Sequence, residues 1–256
     1  MPPADDRHGR DTFAPADRAE LMNRALAMRG GDATYLELGV KAGGTFRKID
    51  AATKIGVDPK LLSRRHRLAV PGSWLRSKLG ARSGAFLFSS TSDDFFARHR
   101  RLLRRVRPAV VLIDGLHTAE QSWRDVDNAL RFLDHPGVIV LHDSNPRSEA
   151  AAAATAAEAA QHPRYSGDWN GEVWRTIVRL RCEREDVRVC VLDCDEGLGL
   201  VARGAPDSML DLDAESRARL TFAAFDAQRE ELLNLRPPSY ARDFLRELMH
   251  ASAADG

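Results

Sequence analysis

Cysteine is scarce in this chain. Its 256 residues include three, Cys182, Cys190 and Cys194, all late in the sequence. An odd, clustered set is no disulfide framework. Cys190-x-x-x-Cys194 has no second pair or flanking histidine to complete a zinc site, which leaves free thiols. Long apolar runs are missing as well. No stretch approaches a membrane span, and the first residues lack a signal-peptide pattern. The expectation is a soluble, cytoplasmic protein with no membrane partner. Charge of one sign is not in excess: 38 Lys and Arg face 37 Asp and Glu, a formal net charge of +1. A general nucleic-acid binder usually shows a strong basic excess, so no nucleic-acid partner is expected. Also absent is the Gly-x-Gly-x-x-Gly turn of dinucleotide enzymes.

What is present suffices for a large core, since 43% of residues are hydrophobic. The length fits one large domain or one domain with appendages. Residues 1–12 are polar and read as disordered. Pro15 to Met28 reads as a helix with Leu21, Ala25 and Met28 on one stripe. Strand patterns follow at Tyr35–Val40, Ile55–Asp58, Ala85–Ser89, Ala109–Asp114 and Val138–His142. Helical patterns lie between them at Thr45–Thr53, Asp93–Val106 and Ala119–Leu133. Such alternation predicts a parallel sheet covered by helices on both faces. Thr118-Ala-Glu-Gln121 and Thr91-Ser-Asp-Asp94 carry helix-start signals.

The later chain is less regular. The alanine-rich run Glu149–Ala160 predicts a surface helix or mobile cover. Asn170–Leu180 reads as a helix. Val187–Leu192 and Leu198–Ala202 read as a closing hairpin turned at Asp195-Glu-Gly197. Helices over Ala214–Leu235 and Tyr240–His250 flank Pro237-Pro238. The division expected is an arm and helix over 1–30, the main domain over 31–205 and a helical extension over 206–256. Leu220, Phe225, Leu232, Leu235, Phe244 and Leu248 give that extension an apolar surface, to be packed on its own domain or buried in a homodimer.

The most informative stretch is Thr34-Tyr-Leu-Glu-Leu-Gly-Val-Lys-Ala-Gly-Gly-Thr45. A strand, a glycine turn and a helix start bring backbone N–H groups close to a nucleotide-like ligand. Glu37 beside the turn would repel a pyrophosphate, and it suits a ligand with a positive charge. Glu37-Leu-Gly-x-x-x-Gly43-Gly44 resembles motif I of the class I S-adenosylmethionine-dependent methyltransferases. Val111-Leu-Ile-Asp-Gly-Leu-His-Thr118 and Val138-Ile-Val-Leu-His-Asp-Ser-Asn145 resemble a small-molecule O-methyltransferase branch of that family, as does Trp169-Asn-Gly-Glu-Val-Trp-Arg175.

The resemblance implies an α/β, Rossmann-like fold: a seven-stranded, mostly parallel sheet with an antiparallel C-terminal hairpin. It implies S-adenosylmethionine as cofactor, held by Glu37, Gly39, Lys41, Gly43, Gly44, Thr45, Asp58, Ser92, Asp93 and Asp114. Asp58, at a strand end, can accept hydrogen bonds from ribose hydroxyls. Ser92 and Asp93 fall at the adenine corner and also suit a helix start. Asp114 and Asp143 end neighbouring strands, where open α/β sheets bind ligands. Two converging carboxylates need a proton or cation between them, and such a site suits Mg²⁺ or another divalent metal. The alternative is that one Asp orients a histidine and no metal binds. His-Asp-Ser-Asn stands where the catechol enzymes carry Asp-Asn. His117 is the first candidate for general base and His142 the second, because histidine takes protons near neutral pH.

Trp169, Asn170 and Trp174 either wall an acceptor pocket or pack a helix. The basic runs Arg98–Arg107 and Arg64-Arg-His-Arg67 read as a solvated helix face and as a loop that could attract an anionic acceptor. The function expected is methyl transfer to an oxygen, a hydroxyl or carboxylate, of a small molecule. The alternatives are an NAD-type oxidoreductase, a methyltransferase acting on nitrogen or nucleic acid, and a non-catalytic module. No Asn/Asp-Pro-Pro-Tyr/Phe segment for a flipped base is present.

Overall fold

A computed structural model describes residues 14–61 and 84–254. The polar arm over 1–12 and the basic run Arg64–Arg67 lie outside the described residues. Among the described residues eight strands form one sheet: β1 Thr34–Leu38, β2 Thr53–Val57, β3 Gly84–Phe88, β4 Val110–Ile113, β5 Val138–Leu141, β6 Val187–Leu192, β7 Leu198–Arg203 and β8 Leu235–Arg236. Their order is β3-β2-β1-β4-β5-β7-β6-β8. The first five strands pair in parallel, and β7 lies antiparallel to both β5 and β6.

β4 and β5 are Val-Val-Leu-Ile and Val-Ile-Val-Leu, and every residue in them is buried. Unbroken β-branched runs fit strands covered on both faces. Alternation divides them between two cores. Leu36, Leu38, Val111, Ile113, Ile139 and Leu141 face the helices Ala119–Phe132 and Val173–Glu183. Tyr35, Val110, Leu112, Val138 and Val140 face the helices Arg18–Arg29 and Ala241–Ala254. Chain order reverses between β1 and β4. Their carboxyl ends therefore open a crevice, the position where such sheets bind ligands.

Several elements depart from the sequence reading. The sheet gains an eighth strand, because Leu235 and Arg236 pair parallel to β6. The expected helix Ala214–Leu235 is three short pieces, Ala214–Ala218, Phe222–Ala227 and Arg229–Leu233. Thr221 caps the second piece, and Asn234, at φ 48°, ends the third. The expected helix Asp93–Val106 is broken at His99. The helix after motif I spans only Gly44–Lys48, because Thr53 is already paired in β2. In the alanine-rich run only the end is helical, Ala156–Gln161 behind a Thr155 capping box, while Ala150 and Ala151 are buried rather than on a surface helix.

Phe225, Leu232, Phe244 and Leu248 are buried within this chain. The C-terminal apolar surface is thus packed on its own sheet, the first of the two arrangements expected for it. The arginines from Arg98 to Arg107 are exposed, as a solvated face should be. Among the described residues no helix is long and apolar enough to cross a membrane.

Candidate active site

Motif I does what its glycine requires. Gly39 has φ +92°, and a Cβ there would lie 1.9 Å from the Asp114 carbonyl oxygen. β1 can therefore turn over the end of β4 only with glycine at this position. The turn places the Lys41 amide 2.8 Å from Asp58 Oδ2, and the Lys60 amide lies 2.7 Å from Asp58 Oδ1. Two backbone donors fix the Asp58 carboxylate at the end of β2, where further lone pairs stay available for hydroxyl donors.

A cavity of about 380 Å³ opens at this crevice. Its walls include Gly39, Lys41, Asp58, Ser92 and Asp114, which the sequence singled out, and also Gly115, Leu116, Gln121 and Asp125. Glu37, Gly43, Gly44, Thr45 and Asp93 lie outside this lining. Glu37 is 2% exposed and accepts a 2.7 Å hydrogen bond from the Tyr35 hydroxyl beneath the rim. Burial is the main reason its pKa rises to about 7. Gly43, in a left-handed conformation, precedes the short helix that holds Gly44 and Thr45.

The four rim residues come together. His117 Nε2 lies 3.4 Å from Asp114 Oδ1 and 3.3 Å from Asp143 Oδ2. Its Nδ1 lies 3.2 Å from the Trp169 carbonyl, and its ring stacks on Trp169 with centroids 4.9 Å apart. A carbonyl only accepts, so this contact selects the Nδ1–H tautomer and leaves Nε2 as the basic nitrogen. Gly171 closes on the same residue: a Cβ there would meet the His117 carbonyl oxygen at 2.3 Å. Below, the Asn170 and Gly171 amides donate to the Ala151 carbonyl at 2.9 Å, so the buried alanines are a close-packed floor for this loop.

His142 Nδ1 lies 2.8 Å from Asp143 Oδ2, and its Nε2 3.5 Å from Asp195 Oδ1. Neither ring nitrogen has a well-aligned hydrogen bond, so these are charge contacts. Burial alone would lower the His142 pKa, but the two carboxylates outweigh it and raise the value to about 9. His142 is therefore a cation at neutral pH, which suits a charge partner better than a proton acceptor. Burial opposes ionisation of Asp114 too, yet His117, His142, Lys41 and Arg18 together pull its pKa down.

Sequence reasoning missed several members of this cluster. Arg18, on the first helix, donates to Asp114 Oδ2 at 2.9 Å and lies 3.1 Å from Asp195 Oδ2. Asp195 was read only as a hairpin turn, and His142 and Arg18 hold its pKa down to about 2 against the effect of burial. Asn170, which the sequence did single out as an acceptor wall or a packing residue, donates to Asp143 Oδ1 at 2.7 Å, while its own Oδ1 is buried without a partner. Asp125, 1% exposed, sits on the buried face of a helix, and burial raises its pKa to about 6. A carboxylate inside an otherwise apolar stripe was the available signal.

Trp174 is a packing residue, 1% exposed and 4.4 Å from the Phe225 ring. A second cleft, of about 320 Å³, adjoins it and holds none of the other predicted site residues. Its arginines, Arg175, Arg179 and Arg217, are bound to Glu172 and Glu183.

Asp114, His117 and Asp143 each offer one ligand atom, these atoms lie within 4.8 Å of one another, and all three residues are buried. Two carboxylates and an imidazole suit a divalent cation.

The family model described as a methyltransferase domain matches residues 36–144. No curated protein matches the sequence. A Corynebacterium glutamicum protein of solved structure is similar at 19% identity and TM-score 0.48, over 78% of this chain and 85% of that one. The S-adenosylhomocysteine-bound methyltransferase PaMTH1 of Podospora anserina is similar at 14% identity and TM-score 0.48, over 73% and 78%. The O-methyltransferase TomG of Streptomyces achromogenes, bound to S-adenosylmethionine, is similar at 14% identity and TM-score 0.46, over 73% and 79%. None of these likenesses carries a residue role or a substrate across. The domain match covers motif I, Asp58 and the rim of β4 and β5, the parts that build the cavity: residues 36–144 are similar to a methyltransferase domain.

Proposed function

We propose that the protein transfers the methyl group of S-adenosylmethionine to an oxygen of a small molecule. One observation carries the reading. Asp114 belongs both to the cavity wall beside Gly39 and Asp58 and to the rim cluster with His117 and Asp143. Cofactor and acceptor chemistry thus share one residue. The sulfonium supplies an activated methyl group, so the protein needs to align the acceptor and take its proton.

His117 is assigned the proton. Its tautomer is set by Trp169, and its Nε2 faces the rim between two carboxylates that stabilise the imidazolium once formed. Asn170 and His142 hold Asp143, and Arg18 and Lys41 hold Asp114. The near-neutral chain favours a small acceptor over nucleic acid.

The donor set Asp114, His117 and Asp143 supports a second version. A divalent cation held there would act as a Lewis acid on the acceptor oxygen. The versions exclude each other at His117, because an Nε2 that ligates a cation cannot take a proton. Arg18 and Lys41 would also have to yield Asp114 oxygens.

The test is transfer of a labelled methyl group from S-adenosylmethionine to a panel of phenols, sugar alcohols, carboxylic acids and amines. Ether products resist alkaline hydrolysis and esters do not, which separates hydroxyl from carboxylate acceptors. His117→Gln should abolish turnover while S-adenosylhomocysteine still binds. Label found only on nitrogen would overturn the oxygen assignment, and full turnover by His117→Gln would overturn the base.

A further inference from the structure

The adenine corner of the cavity carries a carboxylate that the family resemblance does not supply. Asp93, the residue expected there, is exposed and lies outside the cavity lining. Asp125, in the second turn of the helix Ala119–Phe132, is 1% exposed and lines the cavity with Ser92, Gly115, Leu116 and Gln121. Its carboxylate is oriented. Gln121 Nε2 donates to Asp125 Oδ1 at 2.9 Å, to Ser92 Oγ at 3.1 Å and to Asp93 Oδ1 at 3.3 Å. The other Gln121 amide atom, Oε1, accepts from Arg124, so the side chain cannot be turned round without losing both ends. With Oδ1 so engaged, Oδ2 is directed at Gly115: a Cβ on that glycine would lie 3.7 Å from it. Gly115 and Asp125 line the cavity side by side there.

A buried carboxylate is costly unless donors meet it. Among the described residues no basic side chain lines this end of the cavity: the lysines of the lining, Lys41 and Lys60, flank Asp58 instead. Gln121 and Ser92 fill only part of the acceptor capacity of the carboxylate, and a donor on the occupant can take the rest. We propose that Asp125 is the residue that reads the exocyclic amine of the adenine, its Oδ2 accepting a hydrogen bond from that amine, with Gln121 positioning it. The proposal rests on the S-adenosylmethionine reading of the same cavity and adds the group that tells an amino-purine from an oxo-purine. A 6-oxo base would turn a carbonyl oxygen toward Asp125, lone pairs against lone pairs, and lose the bond.

The experiment compares S-adenosylhomocysteine with S-inosylhomocysteine, in which the amine is replaced by oxygen, by calorimetry at pH 7.5. The full-length protein should prefer the adenine compound by about tenfold or more, the scale of a hydrogen bond to a charged group. Asp125→Asn keeps size and shape and offers an amide N–H to the oxo group, so the preference should collapse to near unity. Gln121→Ala frees the carboxylate and should reduce the preference in part. Since each ratio is internal to one protein, a general loss of stability does not alter it. Should Asp125→Asn bind neither compound, the unmutated protein still decides through the N6,N6-dimethyl analogue, which has no N–H to offer and should bind about tenfold more weakly. Equal affinity of the unmutated protein for all three compounds overturns the assignment. So does a preference that survives in Asp125→Asn, or one that is lost in Asp93→Asn instead. Failure of the unmutated protein to bind S-adenosylhomocysteine at all would strike the cofactor reading itself, a distinct result.

Discussion

Glu37 sits in the motif that first suggested a cofactor, yet its carboxylate is buried below the rim against Tyr35. Burial raises its pKa from 4.5 to about 7, with Asp114 adding to the rise and the Tyr35 hydrogen bond, Arg18 and Lys54 opposing it. A raised carboxylate pKa means that the folded chain keeps a proton the unfolded chain has released. Folding then loses stability as pH rises from about 4.5 to about 7, and the full cost persists above that. At about 1.4 kcal/mol per pK unit, the cost at alkaline pH is about 3 kcal/mol. Glu37→Gln mimics the protonated acid and can still accept from Tyr35, so it removes the cost without changing the packing. In urea titrations the variant should exceed the parent by about 3 kcal/mol at pH 8.5 and by only about 1 kcal/mol at pH 5.5. Every other titration is common to both proteins and cancels in the difference. A stability difference that stays flat between these pH values would refute the argument, since it would mean that Glu37 ionises in the fold as easily as in water.

The remaining predictions concern the site. Asp58→Ala should weaken S-adenosylhomocysteine binding by roughly 1–3 kcal/mol in calorimetry, the scale for losing charged hydrogen bonds; an unchanged affinity would leave Asp58 as a turn residue only. Gly39→Ala forces a Cβ against the Asp114 carbonyl at 1.9 Å, so its melting temperature should fall steeply; a parent-like melt would show that the β1 turn can move. Activity that disappears in EDTA and returns with Mg²⁺ or Mn²⁺ would establish the cation version of the rim, and full activity in EDTA the protonic one. In either version Asp143→Ala should stop turnover with little change in S-adenosylhomocysteine affinity, because Asp143 touches His117 and lies outside the lining of the cavity assigned to the cofactor.

The sheet was legible because its signal is local. Val110–Ile113 and Val138–Leu141 are short β-branched runs, and nothing but a strand buried on both faces suits them. Helix starts at Thr91 and Thr118 were equally readable, since a cap needs only a hydroxyl and an amide three residues on, and both bonds are present. The C-terminal segment was misread because helix propensity over Ala214–Leu235 is high throughout. What cuts it into three is a threonine cap, a left-handed asparagine and the pull of an open β6 edge on Leu235 and Arg236. The last of these depends on a strand more than forty residues away and has no trace in the local pattern. The alanine-rich run failed for a related reason: small side chains favour a helix, but they also let a loop approach, and the amides of Asn170 and Gly171 took the second option.

The site divides along the same line. Gly39, Asp58, Asp114, His117, His142 and Asp143 stand at strand ends beside glycines or within short recognisable runs, so their placement follows once the strands are known. Arg18, Asp195 and Asp125 carry no such mark. Arg18 begins a helix of ordinary composition, and reaches Asp114 only because that helix packs across the end of the sheet. Asp195 comes to His142 because the β6–β7 hairpin, antiparallel to β5, returns its turn to the rim. These long-range partners decide the charge of the cluster. Asp195 and Asp143 keep His142 a cation, whereas His117 meets a carbonyl that fixes its tautomer. Two histidines that the sequence could rank only by proximity to a glycine are thereby set in different surroundings, His142 by its neighbour Asp143 and the distant Asp195, His117 by the distant Trp169, which is why we propose one as charge partner and the other as base.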